Sequence, residues 1–284
     1  MFNFAMTQLP FVPYLHSAED VVFFFYIMTR VGGLFLAAPL LSNPNIPKRV
    51  KATLVFMITV LLSMVMYEDY RGENPRYIID KYGEDMQFYP LFIFLILVKE
   101  FAIGFMIGFC FVLLFEAILF AGQISSHMVG FSMAQLLDPV SGSSQTILAQ
   151  LFALAATLII LLTELHHSFL IILMDSFTVL PIGDYHLPYA SFQHVVHGSA
   201  RVFHYGLNFA AIPYVILVLV TIGLGFMAKI MPEMNIFMVG FPLKILVGYY
   251  GLVMAIGYFP LLLRQAFVEY ENLARILISQ FAGL

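Results

Sequence analysis

Long apolar runs alternate with short polar intervals along the whole 284-residue chain. Most runs approach or exceed the roughly 20 residues that a membrane-crossing helix needs, and Pro, Gly or charged residues bound them. Irregular backbone facing lipid would leave amide groups without hydrogen bonds, so the runs are predicted to be α-helical. The six apolar segments are Val21–Leu41, Ala52–Tyr67, Phe88–Gly122, Thr146–Met174, Val202–Ala228 and Ile236–Leu263.

The tail after Leu263 is less apolar and has a different pattern. Its apolar residues recur every three or four positions, which is typical of a helix with one apolar face. The tail is therefore predicted to form an amphipathic helix that buries Phe267, Tyr270, Ala274, Leu277 and Phe281.

Two segments do not fit a simple multi-pass bundle. Ala52–Tyr67 has 16 residues, so its helix would span about 24 Å, which is short of a hydrocarbon core of about 30 Å. The number of basic residues (Lys plus Arg) before the segment equals the number after it, so the positive-inside rule gives no orientation. Phe88–Gly122 is instead too long and contains charged residues. Some of these helices are therefore expected to pack in an assembly without spanning the membrane.

Composition narrows the class of protein. The chain is 61% hydrophobic and 11% charged, against roughly 25% charged residues in soluble domains, and its mean hydropathy is +0.93. It is therefore predicted to be a membrane protein. A net charge of -4 with no block of basic residues argues against a nucleic-acid partner. The first twenty residues contain no Lys or Arg, so the first apolar segment is expected to be retained.

Charged residues inside the apolar runs need explanation, because each would cost roughly 3 kcal/mol on a lipid-facing helix. They form either an ion or proton relay or a set of ion pairs between helices, and the second interpretation is favoured. Gly104 and Gly108 follow Glu100 at helical spacing and form a GxxxG motif, which predicts close helix packing. The charged positions are Arg30, Lys99, Glu100, Glu116, Glu164 and Lys244.

A second unusual motif is "GFPLK" at residues 240–244. Gly240 and Pro242 are predicted to interrupt the helix and free backbone groups for a neighbouring subunit, while Lys244 would need an acceptor. The alternative is a simple kink, with Lys244 extending toward the membrane surface.

Metal binding and catalysis have weak support. His166 and His167 are adjacent, and His194 and His197 are spaced for a shared metal, but no third ligand accompanies either pair, so neither a metal nor another cofactor is expected. Ser132 lies in "GFSMA", which resembles a nucleophile elbow. An elbow requires a strand before the serine, whereas the residues here predict a helix, so the protein is predicted not to be an enzyme.

The interval from Gly130 to Thr146 is polar and lies between two apolar runs. Asp, Pro, Gly and Ser in "DPVSGSS" are typical of a turn, and Asp138 could cap the next helix. A turn does not explain Gly130–Leu137, which is too polar for lipid and too apolar for an open surface loop. Such a segment suits a water-accessible cavity at membrane depth.

Four motifs in this order resemble the FliR family of flagellar type III export-apparatus proteins and its virulence-secretion relatives. They are "SNPNIPKRVK" (42–51), "GFSMAQLLDP" (130–139), "ELHHSFLIILMDSFTVLPIG" (164–183) and "MPEMNIFMVGFPLKILVG" (231–248). The resemblance covers nearly the whole chain, and the last motif is closer to the flagellar branch than to the injectisome branch.

The resemblance implies an all-α, membrane-associated export-gate subunit. It implies a FliP-like part (residues 1–201) followed by a FliQ-like helical hairpin and C-terminal helix (residues 202–284), packed as helical hairpins in a helical hetero-oligomeric assembly. The implied partners are FliP, FliQ and FlhB type subunits in the bacterial inner membrane and flagellar basal body. From the residue patterns described above, helix packing and subunit contacts are expected at Arg30, Glu100, Gly104, Gly108, Gly240, Pro242 and Lys244.

In the family, the region matching residues 130–142 is a loop that plugs the central channel. The family pattern is met at Gly130, Ser132, Ala134, Asp138 and Pro139, with Phe131 and Met133 as apolar replacements and Gly142 near the end of the loop. The polar insertion at residues 68–87 and the serine-rich "SGSS" depart from the pattern.

The predicted function is thus a subunit of the channel for unfolded flagellar proteins, with its buried charges satisfied by surrounding subunits. One alternative is an injectisome export-gate subunit. Another is a secondary transporter, whose site would combine the interrupted helix at residues 240–242 with the carboxylates of Glu100, Glu116 and Glu164. Such proteins normally contain inverted repeats, and none is evident.

Overall fold

A computed structural model describes residues 18–42, 46–70, 89–131, 146–183, 188–233 and 235–283. These residues form helices and their connections, and none of them is in a β-strand. The all-helical, membrane-associated prediction is confirmed. In chain order the helices are α1 (Ala18–Ala37), α2 (Pro39–Ser42), α3 (Lys48–Tyr70), α4 (Tyr89–Val129), α5 (Ile147–Leu162), α6 (His167–Val179), α7 (Tyr189–Ile230), α8 (Ile236–Ile256) and α9 (Phe259–Phe281).

Within the described ranges, four helices are long and apolar enough to cross a bilayer. A fifth span would be added if α5 and α6, which are bent by 69° at their break, cross together. A helix satisfies its own backbone hydrogen bonds, which is why these runs can sit in hydrocarbon. The four candidate spans are Lys48–Met66, Leu91–Val129, Ser191–Ile230 and Met238–Ile256.

Helix α3 corrects the prediction of a segment too short to cross the membrane. It has 23 residues, which correspond to about 34 Å at 1.5 Å per residue. The helix includes the basic residues before the apolar run and continues to Tyr70, because backbone hydrogen bonds do not depend on apolar side chains. Only 11% of its candidate span is buried, so most of its apolar surface is available to lipid or to other subunits.

Two predicted segments are divided in the structure. Thr146–Met174 is broken between α5 and α6, where Thr163 caps α5 and Glu164 adopts a left-handed conformation with φ of 58°. Ile236–Leu263 is broken between α8 and α9 at Gly257 and Tyr258. Apolar composition alone did not reveal these breaks, because both turns are flanked by strongly apolar residues.

The predicted helix break at Gly240 and Pro242 is wrong, because α8 runs through both residues. Pro242 removes one backbone donor, yet the hydrogen bonds of neighbouring turns persist. Asn235 supports the start of this helix, and its side chain accepts a hydrogen bond from the backbone N–H of Met238 (3.3 Å).

The chain forms two compact units. Unit 1 comprises Met1–Cys110, Ser168–Ser191 and Ala274–Leu284, and unit 2 comprises Phe111–His167 and Phe192–Leu273. Helices α4, α6, α7 and α9 each contribute residues to both units. The predicted division after residue 201 is a family-based boundary that falls inside α7, and it stays a prediction.

The amphipathic interpretation of the tail is confirmed by α9. Its predicted apolar positions are all buried, with at most 4% exposure. In unit 2, the ring of Phe267 lies 5.3 Å from that of Phe111 on α4, and the hydroxyl of Tyr270 donates to the carbonyl of Gly198 on α7 (3.3 Å).

Candidate functional site

Arg30 on α1 and Glu100 on α4 form an ion pair in the core of unit 1. Both side chains are fully buried, and Nε of Arg30 lies 2.6 Å from Oε2 of Glu100. The guanidinium also donates to the backbone carbonyl of Ser176 (2.9 Å), to its hydroxyl (3.2 Å) and to the carbonyl of Leu180 (3.2 Å). These acceptors lie at the C-terminal end of α6, where the helix dipole favours a cation. The Ser176 carbonyl also accepts a hydrogen bond from the backbone N–H of Leu180 (3.0 Å).

Further contacts complete the Arg30–Glu100 network. The second carboxylate oxygen, Oε1, accepts a hydrogen bond from the backbone N–H of Gly183 (3.1 Å). Gly183 has φ of 81°, which favours glycine. The ring of Phe177 lies 4.1 Å from the guanidinium carbon of Arg30, a cation–π distance. The expectation that buried charges are satisfied by foreign subunits is therefore wrong for Arg30 and Glu100.

Small residues let α1 and α4 approach closely enough to form this pair. A Cβ at Gly33 would lie 2.5 Å from the backbone oxygen of Phe101, and one at Gly108 would lie 2.6 Å from Cβ of Ala37. A Cβ at Gly104 would overlap the backbone carbonyl of Arg30. Gly104 and Gly108 thus pack helices within the chain, and their predicted contact with other subunits stays a prediction.

The polar interval begins in unit 2 at Gly130, directly after α4 ends at Val129. Gly130 has φ of 99°. The N–H of Gly130 donates to the carbonyl of His127 (3.2 Å), and the N–H of Phe131 donates to the carbonyl of Ser126 (3.0 Å). These two bonds form a Schellman motif, which satisfies the last carbonyls of a helix and needs a left-handed residue. Glycine at position 130 therefore fixes where α4 stops.

The interval ends at Thr146, which caps the first turn of α5. The buried Thr146 hydroxyl oxygen accepts a hydrogen bond from the N–H of Ala149 (3.2 Å). Val129 and Leu148, near the two ends of the interval, share a hydrophobic cluster with Leu217, and Phe131 packs against it. The chain thus leaves α4 and enters α5 at one packed base.

Only part of the predicted plug is described. Gly130 and Phe131 have the positions given above. The remaining predicted plug residues, Ser132, Met133, Ala134, Asp138, Pro139 and Gly142, lie outside the described residues, and the candidate nucleophile Ser132 is among them.

Gly240 and Lys244 line a pocket between α7 and α8 in unit 2. Its volume is about 820 Å³, and its walls also include Gly130, Leu224 and Phe241. Lys244 is half-buried. Among the residues that the structure describes, Lys244 has no ion-pair partner. Pro242 is exposed, and the predicted subunit contacts of this motif remain predictions.

The other charges in the apolar runs have different surroundings. Glu116 on α4 is exposed, whereas Glu164 lies in the turn after α5 with its carboxylate 3.8 Å from the His167 ring. Within the part of the chain that is described, no group of three His, Cys, Asp or Glu residues could hold a metal ion.

Two ion pairs were not anticipated from the sequence. In unit 2, Arg201 of α7 pairs with Glu269 of α9, which also accepts from the Tyr205 hydroxyl (3.4 Å). In unit 1, Asp175 of α6 pairs with Arg275 of α9. The partners are 68 and 100 positions apart in sequence, so no local pattern could have revealed them.

In the described residues, these features define an all-helical membrane protein with a charge network buried in a helix core and other charges on the surface of apolar helices. The chain belongs to the bacterial export proteins, family 1, whose family model matches residues 21–270.

Curated relatives agree with this family. Flagellar biosynthetic protein FliR of Escherichia coli (strain K12) is 28% identical over 90% of this chain and 93% of its own length. FliR of Pectobacterium carotovorum subsp. carotovorum is 26% identical over 92% and 94%. FliR of Bacillus subtilis (strain 168) is 25% identical over 86% and 90%. The family and these relatives support a membrane component of a flagellar export apparatus.

Proposed function

We propose that the protein is a gate subunit of the flagellar export channel and that residues 130–142 form a plug that restrains leak when the channel is idle. It would assemble with FliP, FliQ and FlhB type subunits in the bacterial inner membrane and pass unfolded flagellar proteins outward. The role is structural, and the chain has no catalytic step of its own.

The observation that carries this proposal is the packed base from which the polar interval departs. Gly130 follows the last residue of α4 in a Schellman motif, and the Thr146 side chain caps α5, so hydrogen bonds fix both attachment points. Val129 and Leu148 hold them against one cluster. A segment with fixed, neighbouring ends can change its own conformation without moving the helices on either side. That property is what a reversible plug requires.

Roles follow from the residue types in the interval. Gly130 and Phe131 belong to the base, where Phe131 packs on the hydrophobic cluster. Ser132, Ala134 and Gly142 are small, and Met133 has a flexible side chain that can fill an irregular opening. Asp138 and Pro139 would set the turn within the plug.

Exposed apolar surface supports assembly with other helical subunits. Only 22% of the candidate span of α8 is buried, as is 11% of that of α3. In α8 the exposed side chains include Leu246 (70%), Tyr249 (70%) and Ile256 (68%). Helices of neighbouring subunits would cover this surface, with Gly240 and Pro242 on the same helix.

The test uses two variants. In one, residues 132–142 are deleted, and in the other they are replaced by an equal number of Gly and Ser residues. Both variants should still copurify with unlike export subunits, because the base at Gly130 and Thr146 is retained. Cells carrying either variant should become permeable to small solutes, measured by dye entry or ion leak. The Gly/Ser variant is the matched control for loop length.

Normal permeability in both variants, with the complex assembled, would remove the plug from the proposal. A leak in the deletion variant but not in the Gly/Ser variant would mean that the length of the loop closes the channel. The side chains of Met133 and Asp138 would then not be required. A chain that works as a lone protein or simple homo-oligomer would instead support a secondary transporter.

A further inference from the structure

A polar stripe runs along the unit 2 part of α4. Glu116, Gln123 and His127 follow one another at steps of seven and four residues, which places them on one face of a helix. Glu116 and His127 are exposed, and Gln123 is half-buried. Over the eleven residues from Glu116 to His127, the stripe extends about 17 Å along the helix axis.

This stripe is not suited to lipid. It lies in the apolar candidate span Leu91–Val129. An ionised carboxylate facing hydrocarbon would cost roughly 3 kcal/mol, and an amide and an imidazole add to that cost. The opposite face of α4 is the one that packs in unit 2, because Leu114, Ala117 and Ile118 are completely buried. The stripe must therefore face water or another polar surface.

Some other polar groups in unit 2 pair with each other. Arg201 forms an ion pair with Glu269, and the Asn208 amide lies 3.1 Å from Nε2 of His204. By contrast, the side chains of the stripe have no hydrogen bond or ion pair with any residue in the described ranges. Their hydrogen-bonding capacity remains available to a species outside the folded chain.

We infer that this face of α4 lines the aqueous passage and contacts the exported polypeptide in its extended, unfolded form. The inference rests on the proposed function, since the stripe ends three residues before Gly130, at the base of the plug. A carboxylate, an amide and an imidazole can accept or donate hydrogen bonds to peptide groups of any sequence. Val112 and Leu119, both half-buried, lie along the same face, so the stripe mixes polar and apolar side chains.

Thiol accessibility tests this inference, because Cys110 is the only cysteine and is buried. In a Cys110→Ala background, Glu116→Cys and Gln123→Cys would be compared with Leu151→Cys and Leu154→Cys. These two control residues lie on α5 and are 53% and 60% exposed, yet their surroundings are apolar. The probe is a charged, membrane-impermeant methanethiosulfonate, applied to assembled export complexes in membrane vesicles.

The stripe thiols should react at least about tenfold faster than the control thiols, because the thiolate is the reactive form and apolar surroundings suppress it. A stalled export substrate fused to a folded domain should slow labelling at Glu116→Cys and Gln123→Cys and leave the controls unchanged.

Two results would overturn the inference. Labelling no faster than at the α5 controls would mean that a neighbouring subunit covers the stripe. Fast labelling without protection by the stalled substrate would mean that the face is wet but lies off the cargo path. If the deletion experiment rejects the plug, the labelling rates at the stripe still test this inference. The failure of one proposal can therefore be distinguished from the failure of the other.

Discussion

Two glutamates on the same helix have opposite surroundings. Glu100 and Glu116 are sixteen positions apart on α4, and both interrupt an apolar run. Glu100 is fully buried in unit 1, bonded to Arg30 and to the backbone of Gly183. Glu116 is exposed in unit 2, and no described residue pairs with it.

The difference teaches that a charge in an apolar helix does not by itself identify a transport pathway. Around Glu100, close approach at Gly33 and Gly104 brings a cation and backbone donors within reach, so the charge stabilises one arrangement of α1, α4 and α6. Around Glu116, no described element of unit 2 covers the side chain, so its function depends on what lies outside the chain. A buried pair is evidence for specificity of packing, and an exposed charge is evidence for a partner or water.

The largest expected effect separates the two glutamates by stability. Glu100→Ala would leave the buried Arg30 guanidinium without its counterion, which costs about 3–5 kcal/mol. Glu116→Ala should change the free energy of unfolding by less than about 0.5 kcal/mol, as at other surface positions. Denaturant unfolding of the detergent-purified protein measures both. Equal losses for the two variants would show that burial is not what distinguishes them.

A smaller effect is expected at two adjacent glycines of α1. Gly33→Ala should destabilise by about 1–3 kcal/mol, because its methyl group would press on the backbone of Phe101 and push α1 away from α4. Gly32→Ala meets nothing within 4 Å and should stabilise by about 0.5–1 kcal/mol through helix propensity.

Thermal unfolding of this pair isolates the close approach from the general effect of adding a methyl group to a helix. If Gly33→Ala stabilised the protein as much as Gly32→Ala, the buried Arg30–Glu100 pair would not depend on tight packing of the two helices.

The smallest effect tests how unit 2 fixes the base of the plug. Thr146→Ala removes the cap of α5 and should cost about 1 kcal/mol, whereas Thr146→Ser retains the accepting oxygen and should remain close to the parent. Hydrogen exchange at the first turn of α5 should rise in the alanine variant alone. Unchanged exchange would mean that the hydrophobic cluster, and not the cap, holds this end.

Helix content and the amphipathic face of α9 could be predicted from the sequence, since both depend on the local period of apolar residues. The break between α5 and α6 was missed because a short polar turn does little to reduce the apolar character of the run around it. The predicted break at Gly240 and Pro242 was wrong for the converse reason. Those residues disfavour a helix locally, but a single missing donor is outweighed by the turns on both sides.

Sequence pattern identified Gly104, Gly108 and the interval beginning at Gly130 as positions where backbone geometry matters. It could not decide which charges pair. Arg30 contacts Glu100, 70 positions away in sequence, and Ser176, 146 positions away. A local sequence pattern does not contain information about contacts between residues so far apart in the chain.

The amino-acid sequence by itself determined that this protein is helical, that it resides in a membrane and that it belongs to an export family, because hydrophobic period, composition and ordered motifs are properties of the chain alone. The tertiary structure decided which of two similar glutamates is neutralised inside the protein and which is presented outward. The reason is physical: ion pairing depends on distance and burial, and both are set only when helices remote in sequence come together.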